Sequence, residues 1–375
     1  MCNRKQSGKC NQVISPRPLD VGMSATEAVE TTFHCAGAGL LADSAAFFSN
    51  LILSRPKTCV GLSLDATLTQ GGIAITALLP LVRGGYLDWI TITGANLYYD
   101  ALFALNKPLL RAPDDSGDAV EACGGNICIK SSDREDADRI LREILSGPDF
   151  QQPMSSANMH HLLGRELRVY EKELGVVHPC LLSTAYELGV PLFNPAPIEG
   201  PLGSLISDLA FMGNRLSIDS SFDLNEAAAI LGNMRRHKID NALWSFGRGT
   251  AAGFSIGVPA HLNRVMGQNE VATAPFLMLF ELLSGSLEMT HLSGSCAPLT
   301  PVAPSEITEG DSISPVTMTI QTDLSLAIPL LTAYLLDRIP TRPLRKLGLS
   351  RSDLVDKLRR DQLDATLKDL QHPSS

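Results

Sequence analysis

The spacing of apolar residues along the chain predicts alternating strands and helices. Residues 59–64 and 87–93 are short β-rich runs, and residues 71–82 between them carry the spacing of a helix. Further strands are predicted at 190–193, 216–219, 241–246 and 316–321, and further helices at 25–53, 101–105, 131–145, 224–235, 259–266 and 324–336. This βαβ alternation indicates an α/β fold with a mostly parallel sheet and helices on both faces.

Polar segments at both ends of the chain set the limits of a central domain. Residues 1–22 mix charge, serine and proline without periodicity, so a mobile amino-terminal segment is expected there. Residues 341–375 are predicted to form a charged helical tail. Residues 23–340 between them are predicted to be a single α/β domain, in which the polar stretch 112–160 is an insertion or lid.

Composition narrows the class of protein. Of the 375 residues, 44% are hydrophobic and 19% are charged, which is typical of a globular protein. The amino terminus has no apolar signal core, and the runs at 276–280 and 326–336 are too short to cross a bilayer. A cytoplasmic location without a membrane partner is expected.

The net charge of -9 argues against nucleic acid as a partner and suits a cationic ligand, although ordinary solubility explains the charge as well. The eight cysteines are scattered and are expected to be mostly reduced. Cys123 and Cys128 lack the spacing of a zinc knuckle, and the adjacent His160 and His161 would diverge on a helix. No metal site is predicted.

Candidate chemistry begins where the strand at 87–93 ends. Gly94 follows it directly, and residues 94–100 are predicted to form a turn before helical residues resume at Ala101. In open α/β sheets, nucleotides bind at this edge because glycine lets backbone N–H groups approach a phosphate. The segment contains neither a GxGxxG motif nor a P-loop, so an ordinary turn is the simpler explanation of these residues alone.

Taken together and in order, four segments resemble the deoxyhypusine synthase family, namely 61–72, 91–100, 193–204 and 249–263. Residues 322–325 resemble the family's last strand-to-helix junction. The resemblance implies a homotetramer with a Rossmann-like sheet that binds NAD and a polyamine between paired subunits. Family members oxidise spermidine, hold its aminobutyl group as an imine on a lysine, and pass it to an acceptor amine.

The resemblance also implies a set of NAD contacts. Glu199 falls on an aspartate that binds the nicotinamide nucleotide, and Asp323 falls on the family's late aspartate. Carboxylates at such positions accept hydrogen bonds from ribose hydroxyls. Tyr98 and Tyr99 stand where the family has an acidic pair. The full set of implied cofactor contacts is Asp65, Thr67, Thr93, Gly94, Ala95, Asp100, Glu199 and Asp323.

The amine site resembles the family less closely. His261 aligns with a substrate-facing histidine that could accept a proton, although a histidine at a helix start is often structural. Glu306 matches a substrate carboxylate. Ser204 replaces an aspartate that grips an ammonium group. Cys296 is a candidate substrate contact, although an incidental cysteine explains it more simply because nothing in the sequence indicates an activated thiolate.

The largest departure is at Asp311, where the family carries its imine-forming lysine. No lysine occurs between Lys238 and Lys346, and a carboxylate cannot form an imine. Asp311 therefore joins His261 and Glu306 as a candidate catalytic residue of altered chemistry, and the chain is not expected to be a working deoxyhypusine synthase.

Three functions remain open. The leading hypothesis is an NAD-dependent enzyme that oxidises a polyamine or related amine to an imine, which a second small amine captures directly. The second is a catalytically inactive oligomer that binds NAD or a polyamine and has a regulatory or scaffold role. The third is a fold recruited for other carbon–nitrogen chemistry in specialised metabolism.

Overall fold

A computed structural model describes residues 17–55, 57–65, 68–111, 120–124, 127–267, 276–281 and 316–371. The helices are α1 (Ala25–Thr32), α2 (Ala36–Ser54), α3 (Leu79–Arg83), α4 (Gly94–Ala104), α5 (Ser131–Leu145), α6 (Ser156–Glu173), α7 (Leu181–Leu188), α8 (Pro201–Phe211), α9 (Ser220–Arg236), α10 (Thr250–Val265), α11 (Leu324–Arg338) and α12 (Arg351–Gln371). The strands are β1 (Cys59–Leu64), β2 (Trp89–Ile92), β3 (Leu110–Arg111), β4 (Val120–Gly124), β5 (Ile127–Lys130), β6 (Pro153–Met154), β7 (Leu192–Phe193), β8 (Ser217–Ile218), β9 (Asn241–Phe246), β10 (Phe276–Glu281) and β11 (Val316–Gln321).

Six of the strands form one parallel sheet in the order β11-β10-β9-β1-β2-β7. The chain runs outward from β1 through β2 to β7, and then returns to the other side of β1 with β9. The strand order therefore reverses between β1 and β9. In open α/β sheets, the crevice outside the carboxyl ends of the strands at such a point is the usual ligand site.

The predicted α/β class and its parallel sheet are confirmed. The strand β10 was not predicted, because its residues were interpreted only as an apolar run. The strand predicted at 216–219 is real but short, and it pairs with β6 in a separate two-stranded sheet. It was therefore wrongly assigned to the main alternation.

The alternation of side chains along β1 assigns the two faces of the sheet. Val60, Leu62 and Leu64 point into the larger hydrophobic core. Cys59 points the other way, into a second core with residues of α9, α10 and α12. On that face a Cβ atom at Gly61 would lie 2.1 Å from the Trp89 ring, so only glycine fits. Helices thus cover both faces, as expected for a parallel sheet.

Two helices begin earlier in the chain than predicted. The turn predicted at 94–100 is the first part of α4, which begins at Gly94 immediately after β2. The glycine-rich stretch before residue 257 lies inside α10, which begins at Thr250. In both places packing outweighs the polar or glycine-rich character of the sequence. Glycine weakens the helix at Gly253 and Gly257, and packing does not require it there, because no neighbouring atom approaches within 4 Å of a Cβ position.

The helix predicted at 71–82 is present but irregular. A 3-10 turn at Thr69–Gly71 and a π-helical segment at Ala74–Leu78 lead into α3. Pro80 lacks the N–H group that would continue an α-helical ladder, and its ring crowds the carbonyl four residues earlier. The wider π-helical turn before it relieves this conflict.

The predicted insertion and the predicted tail both contribute side chains to the two hydrophobic cores. Leu141 and Leu145 of α5 belong to the larger core, and Leu358 of α12 belongs to the second. At the start of α12, the buried Arg351 pairs with Glu226 of α9 at 2.9 Å. The lid role of 112–160 and the domain bounds at 22 and 340 stay predictions, and residues 1–16 lie outside the described chain.

Along the described parts of the chain, no helix combines the length and apolar character needed to cross a lipid bilayer. Among the described residues, Cys35, Cys59, Cys128 and Cys180 are free thiols, and the reduced state of the protein stays a prediction.

Candidate functional site

Asp65 occupies the point where the strand order reverses, directly after β1. Its Oδ1 accepts the N–H of Ala251 at 2.7 Å and its Oδ2 accepts the N–H of Ala252 at 3.1 Å, so the carboxylate caps α10. Burial raises the pKa of Asp65, and the charge of Glu199 acts in the same direction. These two N–H groups of α10 are therefore bound within the protein.

Two glycines at the end of β9 make room for this carboxylate. Gly247 has a φ of +101°, and its Cβ would lie 2.8 Å from the Cβ of Asp65. A Cβ at Gly249 would lie 2.7 Å from the Asp65 Oδ1. A larger residue at either position would push Asp65 away from α10.

Gly94 lies against the segment that follows β7, residues 195–200, which we call the 195–200 loop. A Cβ at Gly94 would lie 2.3 Å from the carbonyl oxygen of Glu199. Gly200 has a φ of +88°, and a Cβ there would lie 2.6 Å from the backbone nitrogen of Ala95. The two glycines allow direct packing between the loop and the start of α4, which accounts for Gly94 without a ligand.

Glu199 joins this loop to α10. Its Oε1 accepts a hydrogen bond from the Thr250 hydroxyl at 3.1 Å, and its side chain is exposed. Asp65, Gly94, Glu199 and Thr250 thus come from four separate chain segments and meet at one place. We call these four residues the switch-point cluster.

Two asparagines that the sequence analysis did not single out hold the cluster in place. The Asn96 Oδ1 accepts the N–H groups of Leu68 and Thr69 at 3.0 and 3.1 Å, which fixes the segment after β1. The Asn194 Oδ1 accepts the N–H of Ala196 at 3.2 Å within the 195–200 loop. Their position just after strands was the available signal, because buried amides there can bind free backbone groups.

Asp323 lies at the same edge of the sheet, after β11. It caps α11, since its Oδ1 accepts hydrogen bonds from the N–H and hydroxyl of Ser325 at 2.8 and 2.6 Å. These bonds lower its pKa, and the carboxylate is exposed. Three strand spacings, about 14 Å, separate the ends of β11 and β1.

Asp100 does not lie at the carboxyl edge of the sheet. Its two oxygens accept the N–H groups of Leu181 and Leu182 at 2.9 and 2.8 Å, so it caps α7. The side chain is completely buried, and burial raises its pKa to about 6. We therefore interpret Asp100 as a structural cap, without a surface atom to offer a cofactor.

The amine-site residues are only partly brought together. Ser204 is exposed in the first turn of α8, beside the 195–200 loop. His261 lies eleven residues beyond the start of α10, about 16 Å along its axis, and its Nε2 is 3.0 Å from the Asn225 Oδ1. Burial lowers its pKa. Thr67, Cys296, Glu306 and Asp311 lie outside the described residues.

A small cavity lies away from this edge, on the face of the sheet covered by α9 and α10. Its volume is about 20 Å³, and Trp89, Phe193 and Pro259 are among its apolar lining residues. That space is close to the volume of one water molecule, so it cannot hold a dinucleotide.

Known proteins resemble the chain over most of its length. The family model for deoxyhypusine synthase matches residues 25–239. A deoxyhypusine synthase-like protein from Nostoc punctiforme is 32% identical over 96% of this chain and 92% of its own length. A protein of the same description from Thermosynechococcus vestitus is 32% identical over 95% of this chain and 89% of its own length.

More distant similarity reaches proteins described as enzymes. A probable deoxyhypusine synthase from Methanosarcina mazei is 28% identical over 54% of this chain and 62% of its own length. A crystal structure of an Entamoeba histolytica protein assigned as a deoxyhypusine synthase superposes with a TM-score of 0.55 at 13% identity. It covers 89% of this chain and 99% of the other, and at this identity it supports the fold alone.

Proposed function

The chain belongs to the deoxyhypusine synthase family, and from that premise we propose that it binds NAD and an amine at the switch-point cluster. The proposed reaction oxidises a polyamine or related amine to an imine, which a second small amine captures without a lysine-bound intermediate. The protein is proposed to act as a homotetramer with its sites between subunits.

The observation that carries this proposal is the meeting of Asp65, Gly94 and Glu199 at the switch in strand order. Each comes from a different segment that resembles the family, and they lie far apart in the sequence. Open α/β sheets bind their ligands at this position. A cluster formed only to stabilise the fold would not need the exposed carboxylate of Glu199.

The exposed acids fit a nucleotide with two riboses. Glu199 and Asp323 both present carboxylates at the carboxyl edge, and such groups accept hydrogen bonds from ribose hydroxyls. The starts of α4 and α10 are already filled by the 195–200 loop and by Asp65. The proposal therefore assigns ribose recognition to Glu199 and Asp323, and no phosphate to those two helix starts.

The charges also fit a cationic amine. Glu199 lies close enough to Asp65 for its charge to raise the pKa of Asp65, and an ammonium group placed near them would relieve this repulsion. The net charge of -9 attracts polyamines in the same way. His261 is too far along α10 to complete this site in its own chain, so it is proposed to serve a neighbouring subunit.

The chemistry differs from the family's at one step. A bound NAD would supply the hydride acceptor for oxidation of the amine and, once reduced, the hydride for reduction of the final imine. The resulting imine carbon is attacked by the second amine, the first amino fragment leaves, and reduction of the new imine completes an alkyl transfer with no net oxidation. Asp311 and Glu306 cannot replace a lysine as nucleophile, which is why direct capture is proposed.

A second candidate is a binding protein without catalysis. It is favoured by the absence of any lysine between residues 239 and 345 and by Ser204, which stands where the family has an aspartate. Such a protein would keep the ligand-binding edge and lack turnover.

Purified full-length protein incubated with NAD and a polyamine panel tests both candidates. The enzyme hypothesis predicts transient NADH absorbance and a new polyamine by mass spectrometry, both reduced at least tenfold in Glu199→Gln. Calorimetry on the same samples separates the alternatives, because binding without turnover supports the second candidate. Absence of binding to both NAD and polyamines rejects both.

A further inference from the structure

We propose that Asp223 is a positioning residue that fixes the 195–200 loop, and with it Glu199, through Ser156 and Asn194. That Glu199 binds a ligand rests on the proposed function. That Asp223 fixes the loop rests only on hydrogen bonds between buried residues.

Asp223 reaches from α9 to the start of α6. Its Oδ1 accepts the Ser156 hydroxyl at 2.9 Å and the Ala157 N–H at 3.1 Å, and its Oδ2 accepts the Ser156 N–H at 3.1 Å. The two backbone bonds alone would cap α6. The third bond, from the Ser156 hydroxyl, also sets the orientation of that hydroxyl group.

That third bond fixes the direction in which the Ser156 hydroxyl donates. An ionised carboxylate can only accept, so when Asp223 is deprotonated the hydroxyl proton points to it and the oxygen lone pairs remain for another donor. The donor is the backbone N–H of Asn194, at 2.7 Å from the Ser156 Oγ. Asp223, Ser156 and the Asn194 side chain are all buried, so water does not compete strongly for these bonds.

Asn194 connects the Ser156 hydroxyl to the 195–200 loop. It is the first residue after β7, and its side chain binds the N–H of Ala196 at the start of the loop. A Cβ at Gly94 would lie 3.0 Å from its Nδ2. The 195–200 loop is thus held near its start by the bond between Asn194 and Ala196 and, near its end, by the contact between Glu199 and Gly94. Loosening Asn194 would let Glu199 move relative to Thr250.

Adjacent serines provide a matched pair of variants. Ser156→Ala removes the acceptor of the Asn194 N–H, and Ser155→Ala removes a helix cap, because the Ser155 Oγ accepts the N–H of Asn158 at 3.0 Å. Both side chains are buried at the start of α6, but the Ser155 hydroxyl contacts Asn158 of α6 rather than the 195–200 loop. A purely structural role would make the two variants behave alike.

Hydrogen exchange and NAD calorimetry on the full chain decide the matter. We expect residues 194–200 to exchange about tenfold faster in Ser156→Ala, the effect of losing about one hydrogen bond, and not in Ser155→Ala. The dissociation constant for NAD should rise about threefold to tenfold in Ser156→Ala only. Asp223→Asn should give the same exchange pattern, without further change when it is combined with Ser156→Ala.

Equal exchange of residues 194–200 in the two serine variants would overturn the positioning role. Faster exchange in Ser156→Ala with unchanged NAD affinity would overturn the link to Glu199. If the unaltered protein binds no NAD, the proposed cofactor function fails, and the exchange data still decide whether Asp223 positions the loop.

Discussion

The carbonyl oxygen of Glu199 lies where a side chain on Gly94 would have to begin, 2.3 Å from the expected Cβ position. Residues that follow different strands are thereby in direct backbone contact. The glycine at the end of β2 therefore has a definite structural task, which is to let the 195–200 loop pack on the start of α4.

Replacing this glycine should displace the loop. We expect Gly94→Ala to lower the free energy of unfolding by about 1 to 3 kcal/mol, because the new methyl group would overlap a backbone oxygen that cannot rotate away. Urea denaturation measures the change. Gly253→Ala is the control, since no atom lies within 4 Å of its Cβ position in α10.

The control should raise stability by about 0.5 to 1 kcal/mol, as alanine does in a helix interior. Equal effects of the two substitutions would contradict the packing that we infer for Gly94.

Asp65 should contribute more stability than an exposed helix cap. Asp65→Asn weakens two partly buried hydrogen bonds to the start of α10 and should cost about 1 to 2 kcal/mol in urea denaturation. The comparison is Asp323→Asn, because Asp323 caps α11 through the N–H of Ser325 from an exposed position. Losses of the same size would mean that burial adds nothing to the Asp65 cap.

The sequence predicted the sheet better than the edge of the sheet. The bounds of β1, β9 and β11 were correct, because apolar β-branched and aromatic runs depend little on distant partners. Residues 94–100 were predicted as a turn because Asn96 and Asp100 are polar. Both are completely buried in α4, where each accepts backbone N–H groups from segments distant in the sequence.

In the candidate site too, contacts between residues distant in the sequence could not be predicted. Family resemblance identified Asp65, Gly94 and Glu199, and these do meet. It could not reveal that Asp65 is already bound to α10, nor that Asn194 depends on Ser156 and Asp223. Those contacts join residues tens of positions apart, and single-sequence periodicity contains no signal for such pairs.

The stability of the protein should depend on pH through Asp223. Burial raises the pKa of Asp223 to about 7, and Glu226 acts in the same direction, while an unfolded aspartate titrates near 3.9. The folded state therefore holds the proton more tightly between about pH 4 and 7. This contribution to stability is present at pH 4 and is lost as the pH rises through about 7.

Asp223→Asn removes the titrating group and leaves Glu226 and Arg351, the charged neighbours, in place. The free energy of unfolding, measured in urea at each pH unit from 4 to 8, should fall more steeply for the unaltered protein than for the variant. Parallel curves would show that Asp223 does not titrate in this range.

The lysine-free mechanism predicts that no covalent adduct can be trapped. Borohydride reduces an imine between a lysine and an oxidised amine to a stable product that mass spectrometry detects. With NAD and an active polyamine, the unaltered protein should yield a free polyamine product and no adduct, since Asp311 stands at the family's lysine position. Asp311→Lys restores the missing amine and should yield an adduct at that residue if the site retains the family's arrangement. An adduct on any lysine of the unaltered protein would show that another amine has taken over the family's step, and direct capture by the second amine would then be wrong.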